Sequence, residues 1–241
     1  MKILVINPNS TASMTAQIEE SARRCAFAET EIEAVNPIGT PASIEGHADE
    51  ALSVPAMLAL IRDGEARGMD AYVIACFDDP GLAAAREIAR GPVIGICQAA
   101  VQVATTIATR FSIVTTLPRS VPIIEDLVEA YGAGHRCRNV RAVDMPVLAL
   151  ESDPITAEAR LVREIEAARD IDGAEAVVLG CAGMSDLCER LQRRTGVPVI
   201  DGVSAAVKLA EGLVGGGYAT SKIGAYDYPR VKTAPALTET A

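Results

Sequence analysis

Two cysteines occupy matching places in two similar stretches of the chain, and a matched pair of thiols can transfer protons. Cys76 ends an apolar run over residues 71–75, and Cys181 ends a similar run over residues 176–180. A second apolar segment with a proline follows each cysteine, 16 positions later in the first stretch and 17 later in the second. A duplicated unit with one thiol per copy predicts two thiols on opposite sides of one substrate, as inversion of a carbon–hydrogen centre requires.

Each of these two cysteines stands between a strand and a predicted helix. Backbone N–H groups at a helix start and the positive end of the helix dipole favour a thiolate, so we predict lowered pKa values for Cys76 and Cys181. A single cysteine at a strand end is more often a small buried hydrophobe. Two at matched positions favour a functional pair.

Cys25, Cys137 and Cys188 have no matched partner, and core packing or surface roles are predicted for them. Cys97 lies at a strand end whose counterpart is near Asp201; packing is its default role and a place on the cleft floor is the alternative. No C-x-x-C spacing occurs, and His47 and His135 lie far from the pair in sequence, so no metal site is predicted. We interpret His47 as a loop or helix-start residue near the cleft entrance. No G-x-G-x-x-G follows the first strand and no G-x-x-x-x-G-K-[ST] occurs, so no nucleotide cofactor is expected.

The composition limits the classes of partner. Hydrophobic residues make up 49% of the 241 residues and aromatic residues 3%, which predicts an aliphatic core. A formal net charge of −10 disfavours nucleic-acid binding, which needs clustered Lys and Arg. No apolar run approaches the roughly 20 residues of a membrane span, and the first one stops too early for a signal peptide. We expect no membrane partner and a cytoplasmic protein with free thiols.

Short apolar runs alternate with helical patterns, which predicts an α/β fold with parallel sheets. The predicted strands form two matching sets: residues 3–7, 32–35, 71–75 and 93–96, then 112–116, 140–144, 176–180 and 199–200. The predicted helices cover residues 11–27, 49–65, 80–89, 98–109, 120–131, 156–168 and 186–194. We predict two pseudo-symmetric halves, residues 1–97 and 98–214, facing one cleft, with residues 215–241 completing the first half. Both cysteines are expected at that cleft, beyond the carboxyl ends of the strands.

Four segments resemble the aspartate/glutamate/hydantoin racemase superfamily, and within it the hydantoin racemases most closely. They are residues 7–11 (Asn-Pro-Asn-Ser-Thr), 74–81 (Ile-Ala-Cys-Phe-Asp-Asp-Pro-Gly), 92–96 (Pro-Val-Ile-Gly-Ile) and 178–184 (Val-Leu-Gly-Cys-Ala-Gly-Met). The resemblance covers essentially the whole chain. It implies cofactor-independent racemisation of 5-monosubstituted hydantoins, with Cys76 and Cys181 as catalytic residues on opposite faces of C5. The residues after the two cysteines differ from those of the amino-acid racemases, which favours a neutral ring as substrate.

This reaction needs substrate-binding groups, and the matched turns of the two halves offer candidates. Backbone N–H groups of the turns after the cysteines are expected to hold the enolate oxygen: those of Phe77, Asp78, Ala182 and Gly183. The Asn9 amide and the hydroxyls of Thr115 and Thr116 are expected to hold the amide edges of the ring. Ile44 and Phe77 are expected to wall the pocket for the C5 substituent. The Asp78 and Asp79 carboxylates have an alternative interpretation as charges at a helix start.

Other functions remain open at this point. Allantoin is itself a hydantoin, so an allantoin racemase is the nearest alternative, followed by another racemase or isomerase of the superfamily. A two-lobed small-molecule binding protein is a different class, as is a scaffold with no small-molecule site, which would leave the paired thiols unexplained. A symmetric homo-oligomer is expected.

Overall fold

Within residues 1–232, eight strands form two four-stranded parallel sheets with the same order of connections. The computed structural model describes residues 1–232. The first sheet contains β1 (Lys2–Ile6), β2 (Glu31–Val35), β3 (Ala71–Ile74) and β4 (Val93–Gly95) in the order β2-β1-β3-β4. The second contains β5 (Phe111–Thr115), β6 (Cys137–Ala142), β7 (Ala176–Leu179) and β8 (Val199–Asp201) in the order β6-β5-β7-β8. The prediction of an α/β fold with two similar parallel-sheet halves is confirmed.

Helices connect the parallel strands of both sheets. In the first half they are α1 (Ala12–Cys25), α2 (His47–Arg67), α3 (Leu82–Ile88) and α4 (Ile96–Ile107). From β5 onward the chain forms α5 (Val121–Ala130), α6 (Ala149–Ser152), α7 (Pro154–Asp170), α8 (Cys188–Thr195) and α9 (Gly202–Gly215). Short 3₁₀ segments cover Pro118–Ser120, Ala182–Leu187 and Gly224–Tyr226. Within residues 1–232, none of these helices combines the length and the apolar character needed to span a bilayer.

Alternate residues of each buried strand enter different cores, because successive side chains point to opposite faces of a sheet. In β1, Ile3 belongs to a central core and Leu4 to an outer one. In β5, Ile113 and Val114 divide in the same way. The central core contains residues from the inner faces of both sheets, whereas each outer core belongs to one half. The two halves are therefore joined through one hydrophobic core.

The helices that follow the last strand of each sheet cross to the other half. Helix α4 leaves β4 and packs against β7, β8 and α5, while α9 leaves β8 and packs against β3, β4 and α1. The first half is thus completed by a helix that begins at residue 202. The segment after α9 continues along the same half, because the backbone N–H of Thr220 donates to Arg90 (3.1 Å) and Lys222 Nζ donates to the Arg86 carbonyl (2.6 Å). The division of the halves at residues 97 and 215 stays a prediction, and residues 233–241 lie outside the described part of the chain.

One buried carboxylate fastens the exchanged helix α9 to the first half. Glu211 is 2% exposed and accepts hydrogen bonds from the Phe27 backbone N–H (2.7 Å) and the Thr30 hydroxyl (2.6 Å), while Lys208 Nζ lies 2.8 Å from its other oxygen. We expect Glu211→Ala to lower the free energy of unfolding by about 2 kcal/mol, since it strands two donors in a part-buried site. Urea denaturation measures this. Glu211→Gln keeps an acceptor oxygen and should lose less; an equal loss contradicts the hydrogen-bond explanation.

The sequence-based prediction places the start of one strand too late and omits two helices. Strand β6 begins at Cys137, earlier than the predicted start at residue 140, because its first residues are polar or partly exposed and lack a continuous apolar run. Helix α9 has no counterpart among the predicted helices, although it is rich in buried alanine and valine. The short helix α6, which precedes α7, is also absent from the sequence-based set.

Candidate active site

Both matched cysteines line one cavity between the two halves. Cys76 follows β3 and Cys181 follows β7, so each stands at the carboxyl end of the equivalent strand in its sheet. The cavity holds about 420 Å³ of space, including its opening to solvent. Both cysteines are half-buried and unpaired thiols. The residues predicted from the sequence that line the cavity are Asn9, Ile44, Cys76, Phe77, Asp78, Thr115, Thr116, Cys181 and Ala182.

The turns that follow the two cysteines have the same hydrogen-bonding pattern. The carbonyl of Cys76 accepts from the N–H of Asp79 (3.1 Å), and the carbonyl of Cys181 accepts from the N–H of Met184 (3.1 Å). The backbone N–H two residues after each cysteine interacts with its sulfur: that of Asp78 with Cys76, and that of Gly183 with Cys181. Gly183 is therefore beside a sulfur through its backbone without being a lining residue of the cavity.

The pKa values of both thiols are raised, which contradicts the sequence-based expectation of lowered ones. Burial is the main cause for Cys76, whose pKa lies well above its ordinary value, followed by the charge of Asp78. Burial also raises the pKa of Cys181 to about 11, and the Gly183 N–H only partly offsets it. The prediction was wrong because it counted the helix-start N–H groups and left out desolvation, which the enclosing halves impose.

Two adjacent aspartates after Cys76 have different surroundings. Asp78 is 9% exposed and lines the cavity, and burial with the nearby charge of Glu50 raises its pKa to about 6. Asp79 is buried away from the cavity, and burial raises its pKa to about 7 although it accepts several hydrogen bonds. Because carboxylates favour the neutral form when desolvated, both groups change charge near neutral pH.

Asn9, Thr115 and Thr116, which are expected to bind the ring, differ in how far hydrogen bonds within the protein already use their polar groups. The Asn9 oxygen accepts from Asn7 Nδ2 and from the Thr11 N–H, both at 2.9 Å, whereas its amide nitrogen faces only the Met14 sulfur at 3.3 Å. The Thr115 hydroxyl donates to the Gly180 carbonyl at 3.1 Å. Among residues 1–232, no protein hydrogen bond uses the Thr116 hydroxyl. The Asn9 amide nitrogen uses one N–H for the Met14 sulfur, so its second N–H and the Thr116 hydroxyl are left to meet a ligand.

A loop of the first half crosses the cavity and contacts the second half. Glu45 accepts a hydrogen bond from the Val147 backbone N–H (2.9 Å), and Gly46 lies against the Arg119 guanidinium, where a Cβ atom would come within 2.8 Å. Ile44, in this loop, and Val147 line the cavity from the two halves. The expected wall at Ile44 is therefore placed by a contact between residues 102 positions apart.

Sequence reasoning missed some lining residues: Met14, Ala75, Ser120, Val147 and Gly180. Ser120 had a detectable signal, because it matches Ser10 in the turn after the first strand of each half. Met14 and Val147 carry no chemistry-bearing group and come from a helix and a long loop. His47 begins α2 with an exposed side chain.

Outside the pair, the other cysteines are dispersed. Cys97 is fully buried in the central core, and Cys25 and Cys137 pack against that core. Within the described part of the chain, no group of three or more His, Cys, Asp or Glu side chains has the arrangement of a metal site.

Two similar α/β halves, each presenting a strand-end cysteine to a common cavity, define a racemase-type enzyme fold. The sequence model of the family described as Asp/Glu/hydantoin racemase matches residues 3–210, and the chain belongs to this family. A hydantoin racemase from Rhizobium meliloti is 71% identical over 97% of this chain and 97% of its own length. One from Pseudomonas sp. (strain NS671) is 49% identical over 96% of this chain and 93% of its own. These findings confirm the resemblance stated from the sequence.

A solved structure gives the same architecture. An allantoin racemase from Klebsiella pneumoniae superposes with a TM-score of 0.95 at 50% identity, covering 98% of this chain and 97% of its own. An allantoin racemase from Pseudomonas fluorescens superposes with a TM-score of 0.91 at 41% identity, covering 98% of this chain and 100% of its own. The chain is thus similar over nearly its whole length to racemases of two hydantoin-type rings.

Proposed function

We propose that the protein racemises 5-monosubstituted hydantoins by proton transfer between C5 and two cysteines, without a cofactor. The observation that carries the proposal is the meeting of Cys76 and Cys181, one from each half, at a single cavity. The identity to hydantoin racemases supports the substrate class. We also propose a homo-oligomer and a cytoplasmic location, which rest on the sequence alone.

The reaction needs one thiolate and one thiol on opposite faces of the ring. The thiolate sulfur takes the C5 proton, and the electron pair of the broken C–H bond moves into the ring as an enolate on the C4 oxygen. The opposite thiol then returns a proton to C5 from the other face, which leaves a thiolate there. The enzyme ends with the two protonation states exchanged, so the opposite enantiomer is processed in the reverse direction.

Donors at the enolate oxygen make this chemistry feasible, because they are in place before charge develops. The N–H groups of Phe77 and Ala182 come directly after the two sulfurs, and no acceptor occupies them within residues 1–232. The next N–H groups along, from Asp78 and Gly183, interact with the sulfurs and favour their thiolate forms. We assign the enolate oxygen to the first pair and the thiolates to the second.

The remaining polar groups suit the edges of a hydantoin, which carries two carbonyl oxygens and two N–H donors. The free Asn9 amide N–H can donate to a ring carbonyl, and the Asp78 carboxylate can accept from a ring N–H. The Thr116 hydroxyl can do either. Ile44, Phe77 and Val147 offer apolar contact to the C5 substituent.

The decisive experiment follows the optical rotation of an enantiopure hydantoin such as L-5-benzylhydantoin in chelator-treated buffer. We expect the rotation to decay to zero with enzyme, and thiol alkylation to stop it. The rate in buffer alone is subtracted, because hydantoins racemise slowly by themselves. A rotation that stays constant with folded enzyme on both hydantoin and allantoin would overturn the proposal.

A second candidate function is racemisation of allantoin, favoured by the close superposition on the allantoin racemase from Klebsiella pneumoniae. Allantoin carries a polar ureido group at C5, whereas benzylhydantoin carries an apolar one. The apolar wall of Ile44, Phe77 and Val147 favours the apolar substituent. We expect a higher kcat/KM for 5-benzylhydantoin than for allantoin in parallel assays, and the reverse ranking would assign the second function.

A further inference from the structure

One buried carboxylate ties the turn after Cys76 to the rest of the molecule. Asp79 closes that turn, since its N–H donates to the Cys76 carbonyl at 3.1 Å. Its backbone has φ 45°, a left-handed conformation that is uncommon outside glycine, asparagine and aspartate. The residue is 5% exposed and does not line the cavity. A buried carboxyl group on a residue with a left-handed backbone is uncommon. The hydrogen bonds that its side chain makes explain why this residue is found next to Cys76.

The carboxylate of Asp79 binds the first turn of α4, a helix that begins 17 positions later in the chain. Oδ1 accepts from the Cys97 N–H (3.1 Å) and Oδ2 from the Gln98 N–H (2.9 Å), both in the first turn of α4. Oδ2 also accepts from the Tyr131 hydroxyl (2.7 Å), at the end of α5 in the second half. Asp79 therefore caps α4 from a distance and links the Cys76 turn to both halves.

The equivalent helices α4 and α9 of the two halves are capped in different ways. In the second half, Asp201 ends β8 and caps α9 with its own carboxylate, accepting from the N–H groups of Val203 (3.0 Å) and Ser204 (2.9 Å). The equivalent residue at the end of β4 is Gly95, with nearly the same backbone: φ −84° and ψ 141°, against φ −94° and ψ 129° for Asp201. A Cβ atom on Gly95 would lie 2.3 Å from the Asp79 carboxylate. The side chain of Asp79 thus fills the place of the missing cap.

The turn after Cys181 is held differently. Met184 takes the position that Asp79 has in the first turn, and its side chain is fully buried in the outer core of the second half. One catalytic turn is therefore anchored by apolar packing and the other by a hydrogen-bonded carboxylate.

We propose that Asp79 is a positioning residue for Cys76: by capping α4 in place of Gly95, it fixes the turn that aims the Cys76 sulfur at the substrate. The inference rests on the two-thiol reaction proposed above. Placement of reacting groups to within about 1 Å is worth roughly 10²-fold in rate. Loss of this anchor should therefore damage proton transfer at Cys76 and leave Cys181 in place.

The test moves the carboxylate from the turn to the helix. Asp79→Gly removes the anchor and tolerates the left-handed backbone, and Gly95→Asp in the same chain restores a cap in the space that Asp79 vacates. We expect the double variant to regain about 2–4 °C in Tm over Asp79→Gly. Its kcat is nevertheless expected to stay about 10²-fold below wild type, with KM little changed. Asp153→Ala, which removes the cap of α7 at a residue that does not line the cavity, is the matched control and should keep kcat.

A second readout separates positioning from general damage. In D₂O, displacement of Cys76 alone should leave C5 deuterium exchange intact for the enantiomer that Cys181 deprotonates and abolish it for the other. Cys76→Ala defines which enantiomer that is, and the double variant should match it. If the double variant does not fold, Asp79→Asn replaces it, because asparagine tolerates the left-handed backbone and keeps one acceptor oxygen; the same one-sided loss is expected.

The outcomes are distinct. Recovery of wild-type kcat in Asp79→Gly/Gly95→Asp, full activity in Asp79→Asn, or equal loss of exchange for both enantiomers would overturn the positioning role and reduce Asp79 to a helix cap. A wild-type enzyme that racemises no hydantoin would instead overturn the proposed function, before any variant is compared.

Discussion

Alanine in place of either Cys76 or Cys181 is expected to lower kcat/KM for racemisation at least about 10³-fold, in both directions. Each turnover uses both sulfurs, one to remove the C5 proton and one to deliver a proton to the opposite face. Loss of either sulfur therefore blocks both enantiomers, although each variant retains one sulfur in the cavity. Chiral chromatography of initial rates, starting from each pure enantiomer, measures the loss.

The two variants should differ from each other in one respect. Each retains a base for one face only, so each should catalyse C5 deuterium exchange in D₂O for one enantiomer, and the enantiomers should be opposite in the two variants. Proton NMR follows the C5 signal. Cys188→Ala is the control, since this half-buried thiol lies outside the cavity and donates to the Val199 carbonyl at 3.1 Å. Full racemase activity in either single variant rules out the two-base scheme.

The paired thiols were predictable from one sequence because duplication repeats a local pattern. An apolar strand followed by a cysteine and then a helical pattern occurs twice. Parallel strands bring their carboxyl ends to one edge of the sheet. The same repetition pointed to the turns after the first strand of each half, which supply Asn9 and Thr116. A local pattern of this kind identifies both the strand and the residue at its end, so it can be recognised without knowledge of the tertiary structure.

Features that depend on contacts between distant segments had no such signal. Asp79 caps α4 through N–H groups that lie 18 and 19 positions further along the chain. Glu45 accepts a hydrogen bond from Val147, 102 positions away. The sequence-based prediction of lowered thiol pKa values was wrong for the same reason. Local sequence contains the N–H groups that stabilise a thiolate, whereas the desolvation that outweighs them comes from burial in the folded molecule.

That desolvation has a measurable consequence: kcat/KM is expected to rise about tenfold per pH unit, and so about 10²-fold between pH 7 and pH 9. The base must be a thiolate, and the pKa of Cys181 is raised to about 11, with that of Cys76 also raised by burial. Below its pKa a thiol is mostly protonated, so the active fraction increases with pH throughout this range. Initial rates corrected for racemisation in buffer give the profile. A plateau already reached at pH 7 would contradict raised thiol pKa values.

Asp78 offers a way to move that profile. Its own pKa is raised to about 6, so it is ionised over the alkaline range, where its negative charge disfavours both thiolates. Asp78→Asn removes the charge with little change of shape, and the rising limb of kcat/KM should shift to lower pH. The size of kcat/KM at a given point of the profile reports separately on the hydrogen bond that we assign between the Asp78 carboxylate and a ring N–H. Asp153 is not among the charges that shift the pKa of either thiol, so Asp153→Asn should leave the limb in place. A limb unmoved in Asp78→Asn as well would mean that burial alone sets the thiol pKa values.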